Sequence, residues 1–408
     1  MNSLINLSPV APNSIGYLLI TTALVLIAWS SWRRHFAWAL IVTGGAMSLT
    51  WLRPIDLAAM VLFLCGPYFA AVSRWGRKDE ASGGALFLIL AWQLALFLVF
   101  KRYAWADLTG WLDHPVSLIG ISFILFRQIH LVLDAPYIKG GRLKVSEYLA
   151  YLLSPWTLIA GPIQLYESFA KGLAEIGRPT NRELLSDAHR IANGLIKAFV
   201  IAPLFLPMSD IGLLAKSGAD WIDFLIVLYA YPLYLYLNFS GYMDVIIGAA
   251  RACGFRTLPE NFNHPYLARN VQDFWGRWHM SFGEWIRRYV FTPLSAALVK
   301  RTAPGWHGAM MALSVLVTFY TVGAWHGTSL NFVVFGMLHG LGLLVSVFFG
   351  QLLKRGMGAD SYRTFSANPV IHLASVLISL HFVALSFLFL ENSVGDLYRS
   401  LHGFFLSG

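Results

Sequence analysis

Long apolar runs follow one another along most of the sequence, and they limit the possible folds more than any other feature. A helix that crosses the hydrocarbon core of a bilayer needs about 20 mainly apolar residues. Runs of this kind lie at 15–32, 36–52, 55–74, 84–100, 115–133, 148–166, 192–208, 221–238, 241–254, 307–325, 330–350 and 370–390. The runs are continuous and do not alternate with polar residues, which indicates helices and not the strands of a barrel.

The composition agrees with a membrane location. Of the residues, 57% are hydrophobic and only 12% are charged, whereas a soluble domain usually has about 25% charged residues. We therefore predict an all-α, polytopic membrane protein with roughly ten to twelve transmembrane helices. Re-entrant or amphipathic helices are expected around a central site, and we interpret residues 1–408 as a single membrane domain.

The net charge is +9, and many of the basic residues lie in short loops at the ends of the apolar runs. Basic residues in short loops favour the cytoplasmic side of a membrane. Placing the four main basic groups in the cytoplasm puts both chain termini outside the cell membrane, although Arg53 and Lys101-Arg102 depart from the rule. The groups are Arg33-Arg34, Arg74 with Arg77 and Lys78, Lys300-Arg301, and Lys354-Arg355. The charge therefore indicates membrane topology, and no nucleic-acid partner is expected.

Residues 256–302 are too polar to cross lipid as a lone helix. Charged side chains at membrane depth are expected only where protein or water surrounds them. The segment is either an amphipathic surface element or a part of the protein that lines a buried site. Its aromatic residues recur at three- and four-residue steps and predict a short aromatic helix that contains His279. They are Phe274, Trp278, Phe282, Trp285 and Tyr289.

Several blocks in this region resemble the membrane-bound O-acyltransferase family. The resemblance is to the branch that serves alginate O-acetylation and teichoic-acid D-alanylation, and it covers a core at about 120–345. It is carried by "TLIAGPIQ" (157–164), "GLIKAFVIA" (194–202), "NFSGYMDVIIGAARACGF" (238–255), "PENFNHPYLARNVQDFWGRWHMSFGEWIRRYVF" (259–291) and "GAWHGTSLNFVVFGMLHG" (323–340). The stretch "LDAPYIKGGRLKVSEYLAYLL" (133–153) looks more like the D-alanyl transfer proteins.

The resemblance implies a catalytic histidine in a tryptophan-histidine-glycine at the end of an apolar helix. His326 matches this setting, whereas His307 has the same neighbours but follows a basic loop. His279 is the second catalytic candidate; it would orient the acyl group, donate to the oxyanion or cap a polar network. His339 is expected to have a supporting role. The implied substrate contacts are Trp325, Asn261, Asn263, Trp278 and Arg277, and Arg287 and Arg288 are expected to attract an anionic donor.

The chemistry implied is transfer of an acyl group from a thioester to a hydroxyl. A neutral imidazole is a suitable general base because its ordinary pKa is about 6.5, and burial would keep it neutral. We expect His326 to be such a buried base. Gly323 and Gly327 either let a substrate approach or allow close helix packing.

No permanent cofactor and no metal are expected. The implied donor is an acyl-CoA or the phosphopantetheine thioester of an acyl carrier protein, in the cytoplasm. The acceptor would be an extracytoplasmic polysaccharide, a teichoic-acid-like polymer or an accessory acyltransferase protein. The acyl group, acetyl or D-alanyl, stays open. The alternatives are a lipid or protein acyltransferase of the same family and, in another class, a transporter or channel.

Asp244 lies beside an apolar run and has two interpretations. An ionisable residue near membrane depth suggests a functional site, but it also needs a charged partner. We favour an ion pair with an arginine such as Arg277 or Arg251.

Overall fold

A computed structural model describes residues 15–49, 54–76, 83–101, 120–138, 141–216, 218–327 and 329–407. Throughout these ranges the secondary structure is helical, which confirms the all-α prediction. The α-helices are α1 Ile15–Trp29, α2 Phe36–Leu49, α3 Pro54–Arg74, α4 Gly83–Lys101, α5 Ile121–Asp134, α6 Val145–Leu152, α7 Pro155–Leu158, α8 Tyr166–Ala174, α9 Asn181–Leu195, α10 Ala202–Phe205, α11 Trp221–Ala252, α12 Val271–Trp275, α13 Met280–Ile286, α14 Thr292–Lys300, α15 His307–His326, α16 Leu330–Met357, α17 Ala359–Ala367, α18 Pro369–Glu391 and α19 Val394–Ser407.

Five helical stretches among the described residues are long and apolar enough to cross a membrane: Asn181–Ala215, Trp221–Ala252, Pro304–His326, Leu330–Met357 and Pro369–Glu391. Shorter apolar helices occur at Leu19–Trp29, Met60–Arg74 and Gly84–Phe100. The polytopic membrane fold is thus confirmed in outline. The larger number of ten to twelve spans is not established by this part of the chain. Residues 50–52 and 115–119, which belong to two predicted spans, lie outside it.

Four predicted spans differ from the observed helices. The runs 221–238 and 241–254 were predicted as two spans, which is wrong, because α11 continues through both. The run 148–166 is also not one span: α6 ends before Ser154-Pro155, and α7 starts at that proline. Proline lacks the N–H that a continuing helix needs and is well placed at a helix start. The predicted span 192–208 contains a π-helical turn at Ile196–Ile201.

The described residues fall into two compact units. The first comprises Asn2–Leu195 and Tyr242–Glu260. Within it, the buried Arg127 guanidinium donates hydrogen bonds to the carbonyl oxygens of Tyr151 and Leu152, at 2.5 and 2.9 Å. These carbonyls lie at the end of α6, where a helix leaves acceptors without intrahelical donors. Arg127 thus has a structural role in this unit.

The second unit comprises Ile196–Gly241 and Asn261–Gly408. Its centre is an antiparallel pair formed by α15 and α16, and α18 packs against α16. At one end of this group the Asn331 side-chain amide donates to the carbonyl oxygen of Phe389, at 2.8 Å. The end of α15, the start of α16 and the end of α18 therefore meet at the same end of the unit.

Gly323 and Gly336 bring α15 and α16 into close contact. A side chain at Gly323 would collide with the carbonyl oxygen of Phe332, and one at Gly336 would collide with that of Phe319. Small residues at a helix interface allow this approach in membrane proteins. Of the two interpretations of the glycines, the structure supports close helix packing at Gly323. A side chain at Gly327 would collide with the Phe332 ring.

Residues 261–302 are folded into the second unit, as the buried-site interpretation predicted. Phe274, Trp278, Phe282 and Trp285 are buried. The continuous aromatic helix, however, is wrong. The chain forms α12, then a break at 276–279, then α13, a π-helical turn at Arg287–Phe291 and α14.

Candidate active site

His326 is the last residue of α15. The helix ends because Gly327 is extended, with φ −177° and ψ 176°. The ring centroid of His326 lies 4.8 Å from that of Trp325 and 5.7 Å from that of Phe335, with the Phe335 ring edge-on. The His326 side chain is exposed, so the prediction of a base buried by the protein is wrong. Instead, the imidazole stands at the surface of the protein with aromatic rings on its inner side.

His279 is the buried histidine of this region. It precedes α13 as the N-cap, with φ 44° and ψ 51° in the left-handed region, and was wrongly predicted inside a helix. A non-glycine residue held in this conformation costs roughly 1–3 kcal/mol. Its position is fixed by neighbouring backbone bonds: the N–H of Met280 donates to the carbonyl oxygen of Asn261, and the N–H of Phe282 donates to that of His279.

Asn261 determines which nitrogen of His279 carries the proton. The backbone N–H of Ser281 donates to Asn261 Oδ1 at 3.1 Å, which identifies that atom as an acceptor. The Ser281 hydroxyl also donates to it, at 2.8 Å. His279 Nδ1 lies 3.1 Å from the same oxygen, so Nδ1 must be the protonated nitrogen. In neutral His279 the other ring nitrogen, Nε2, is therefore an acceptor.

Burial keeps His279 neutral. Loss of hydration, followed in importance by the electrostatic influence of His326, lowers the pKa of His279 to about 3. A buried imidazole resists protonation because its charged form loses most of its hydration. At neutral pH, His279 thus presents a lone pair at Nε2 and no proton. Of the three roles considered for it, donation to an oxyanion does not suit this tautomer.

Phe282 and Trp325 connect the two histidines. The Phe282 ring stacks on His279, with centroids 5.1 Å apart, and on Trp325, with centroids 4.7 Å apart. Trp325 in turn contacts His326. The structure thus brings His326, His279, Asn261 and Trp325 together. Phe282 and Ser281 were missed as site residues, although both lie within three residues of His279 in the sequence.

His339 lies in the core, in α16, and is fully buried. Trp275 Nε1–H donates to His339 Nδ1 at 3.2 Å, so the proton of the neutral ring lies on Nε2 and faces the Ser386 hydroxyl at 2.8 Å. Both ring nitrogens therefore have partners. This arrangement agrees with the supporting role expected of His339.

A large apolar cavity approaches the two catalytic candidates from the far end of α15. Its volume is about 1210 Å³, beyond the usual range of small-ligand pockets. Along α15 it runs from Gly308 to Val322, a distance of about 21 Å in a straight helix. Val322 lies one turn before His326. Phe282, Trp275 and Phe319 line the same cavity.

The other predicted contact residues pack against or bind groups other than His279 and His326. Trp278 is buried in the aromatic core and stacks on Phe274. The Asn263 side chain is exposed and bonds to its neighbour His264, and Arg277 binds Asp273 at 2.8 Å. The structure therefore gives Trp278, Asn263 and Arg277 roles in packing and loop structure.

The two arginines expected to attract a donor are both exposed. Arg287 lines the cavity and forms a two-pronged ion pair with Glu284, which also lines it, with a shortest distance of 2.6 Å. Arg288 lies over the Tyr289 ring. The pairing with Glu284 offsets much of the attraction that Arg287 alone would exert on an anion.

Asp244 forms an ion pair, as favoured, but with a different partner. In the first unit, Arg190 binds Asp244 at 3.0 Å and also binds Glu260. Hydrogen bonds from Arg190 lower the pKa of Glu260. Arg251 also binds Glu260. The predicted partner Arg277 belongs to the second unit and binds Asp273.

His307 lies at the opposite end of α15 from His326. Its Nε2 is 3.2 Å from the carbonyl oxygen of Thr302. The 19 steps between His307 and His326 correspond to about 28 Å along the helix. Among the described residues, histidine, cysteine and acidic side chains form no group of three or more that suits a metal ion.

Comparison with known proteins gives consistent results. The sequence profile of the membrane-bound O-acyltransferase (MBOAT) family matches residues 85–388. The teichoic acid D-alanyltransferase of Bacillus subtilis is 26% identical over 396 residues, which cover 91% of this chain and 94% of that protein.

Two O-acetylating relatives match over shorter stretches. A probable alginate O-acetylase AlgI of Pseudomonas fluorescens is 29% identical over 292 residues, covering 68% of this chain and 56% of that protein. The peptidoglycan O-acetyltransferase of Helicobacter pylori is 29% identical over 260 residues, covering 57% of this chain and 48% of that protein.

Proposed function

Because this chain belongs to the membrane-bound O-acyltransferase family, we propose that it transfers a D-alanyl group from a thioester to a hydroxyl of an extracytoplasmic polymer. The chain is an O-acyltransferase, and the transporter alternative does not apply. The observation that supports D-alanyl is the extent of similarity: the relationship to a teichoic acid D-alanyltransferase covers 94% of that protein. With the two O-acetylating relatives, the chain shares about half of their length.

His326 is the proposed general base. Its imidazole takes the proton of the acceptor hydroxyl as the oxygen attacks the thioester carbonyl carbon. The tetrahedral intermediate then collapses: the carbon–sulfur bond breaks, the ester bond remains, and the proton passes from the imidazolium to the departing thiolate. The exposed position of His326 at the end of α15 suits this task, because a polymer hydroxyl must reach the ring from outside the protein.

His279 supports the reaction through its neutral state. An imidazolium forms on His326 during the reaction, and a second positive charge nearby would oppose it. Burial prevents that second charge, because the pKa of His279 is lowered to about 3. The bond to Asn261 then keeps Nε2 as an acceptor. We propose that this acceptor orients the acyl group, for which the amino group of D-alanine, in its uncharged form, offers a hydrogen-bond donor.

The cavity along α15 is the proposed route for the donor. A pantetheine arm is long and mostly uncharged, which suits a channel with a lining of this length and apolarity. Lys300, Arg301, Lys354 and Arg355 lie at the end of the α15–α16 pair opposite His326. Basic residues favour the cytoplasmic side, so we place the mouth of the cavity there and His326 toward the outside. An anionic carrier protein or CoA would be attracted to this basic end.

The acyl group can be tested with purified protein in lipid vesicles. D-alanyl and acetyl thioesters of the same carrier phosphopantetheine are supplied with a polyglycerol-phosphate acceptor, and ester formation is measured for each. We expect D-alanyl transfer to be at least about tenfold faster, which corresponds to a barrier difference of about 1.4 kcal/mol. Equal or faster acetyl transfer would contradict the D-alanyl assignment. The absence of transfer from any thioester would contradict the proposed donor.

A further inference from the structure

We propose that Phe282 sets the size of the acyl group that reaches His326, by closing the inner end of the cavity. This inference depends on the proposed role of the cavity as the donor route. The side chain is buried, with 1% of its surface exposed. It lines the cavity and also stacks on His279 and Trp325.

The orientation of the Phe282 ring indicates that it closes the end of the cavity in addition to packing in the core. Phe282 is nearly parallel to both of its neighbours: the interplanar angle is 29° with His279 and 27° with Trp325. His279, Trp325 and His326 do not line the cavity themselves, whereas Val322, one turn before His326, does. A donor that follows α15 inward thus meets the Phe282 ring before it reaches the histidines.

The capacity of the cavity does not explain selection of a small acyl group. Its volume of about 1210 Å³ and its apolar lining would admit a long alkyl chain as readily as an alanyl group. Selection must therefore occur where the thioester carbon meets His326. There the flat Phe282 ring is packed against His279 and Trp325, and large aromatic side chains in packed surroundings do not move aside without strain.

The backbone around Phe282 gives the wall a fixed position. The N–H of Phe282 donates to the carbonyl oxygen of His279 at 3.0 Å, and His279 is held by Asn261. The N–H of Gly283 donates to the same carbonyl oxygen, so two hydrogen bonds tie the first turn of α13 to His279. The same anchor therefore positions the proposed orienting histidine and the ring that limits acyl size.

The test measures acyl-length selectivity with thioesters of one carrier: D-alanyl, acetyl, butyryl and octanoyl. Phe282→Ala and the milder Phe282→Leu are compared with wild type in lipid vesicles, with hydroxyl acylation as the readout. We expect wild type to transfer the octanoyl group poorly, and Phe282→Ala to raise the octanoyl-to-D-alanyl rate ratio at least tenfold. Phe282→Leu should raise it by a smaller factor. Phe282→Trp should lower D-alanyl transfer more than acetyl transfer.

Phe348→Ala is the matched control, because Phe348 lines the same cavity but lies nine residues beyond His339 in α16. It should leave the ratio unchanged. An unchanged profile in Phe282→Leu and Phe282→Ala, with active wild type, would overturn the role of Phe282 alone. If wild type transfers nothing from any thioester, the proposed donor fails instead. If Phe282→Ala does not fold, Phe282→Leu decides the question by the octanoyl-to-D-alanyl ratio, and Phe282→Trp decides it by the ratio of D-alanyl to acetyl transfer.

Discussion

Replacing His326 with alanine should lower the rate of acyl transfer by about 10²- to 10⁴-fold, the usual contribution of a general base. The reason is that His326 combines access with position: its side chain is exposed at the end of α15 and contacts Trp325, which stacks on the cavity-lining Phe282. The measurement is the initial rate of ester formation by purified His326→Ala protein, normalised to the folded fraction found by size-exclusion chromatography.

His307→Ala is the matched control for this experiment. His307 has the same two neighbours, tryptophan and glycine, and lies on the same helix, but at its other end and within reach of the Thr302 carbonyl oxygen. We expect this variant to keep at least about half of the wild-type rate, since an interfacial hydrogen bond contributes only about 1 kcal/mol to stability. A loss at His307 as severe as that at His326 would show that the catalytic histidine has been chosen wrongly.

Replacing Asn261 with alanine should lower kcat by about 10- to 100-fold and leave KM for the thioester nearly unchanged. Asn261 Oδ1 accepts from His279 Nδ1 and from the backbone N–H and hydroxyl of Ser281. Loss of a buried acceptor costs about 1–3 kcal/mol, and each 1.36 kcal/mol is a factor of ten in rate. Without this acceptor, nothing holds the proton of His279 on Nδ1, and Nε2 is no longer reliably an acceptor.

Ser281→Ala distinguishes positioning from general loss of structure. The substitution removes the hydroxyl that donates to Asn261 Oδ1 but keeps the backbone N–H of residue 281, which donates to the same oxygen. We expect a decrease in kcat of less than about fivefold, the effect of one modest hydrogen bond. The measurements are kcat and KM of both variants together with the midpoint temperature of thermal unfolding of each. They separate a positioning effect from a general loss of structure. If Ser281→Ala matches Asn261→Ala in kcat, or if KM changes as much as kcat, the tautomer argument is wrong.

The end of α15 was predictable from the sequence because its signal is local. An apolar run followed by a histidine and Gly327 places His326 at a helix end, and the structure agrees. The basic residues at 300–301 and 354–355 likewise predicted that α15 and α16 run in opposite directions. Such features depend on hydropathy, glycine and charge within a few residues of the site.

His279 was misplaced because its conformation depends on a distant partner. The aromatic spacing from Phe274 to Tyr289 favours an unbroken helix, but Asn261, 18 residues earlier, binds the ring, and its carbonyl oxygen accepts from Met280. This non-local anchoring holds the chain in the left-handed region at His279. The same limitation applies to Asp244, whose partner Arg190 lies 54 residues away.

The exposure of His326 could not be inferred from the neighbouring residues in the sequence. An apolar run predicts that a side chain avoids water, but it does not show whether the side chain is buried by protein or surrounded by lipid. Here α15 presents Gly323 to α16 and leaves His326, at its end, exposed on one side. The buried, neutral imidazole of the site is His279, which a different segment of the chain supplies.

The central claim is that a donor from one side of the membrane meets an acceptor from the other at His326. The most direct test encloses a D-alanyl carrier protein inside vesicles that contain the enzyme and places polyglycerol phosphate only outside, so that both reactants are too large to cross. We expect ester formation on the outside polymer, and little when donor and acceptor are both confined to the outside. Equal transfer with both reactants on one side, or none across the bilayer, would contradict the account.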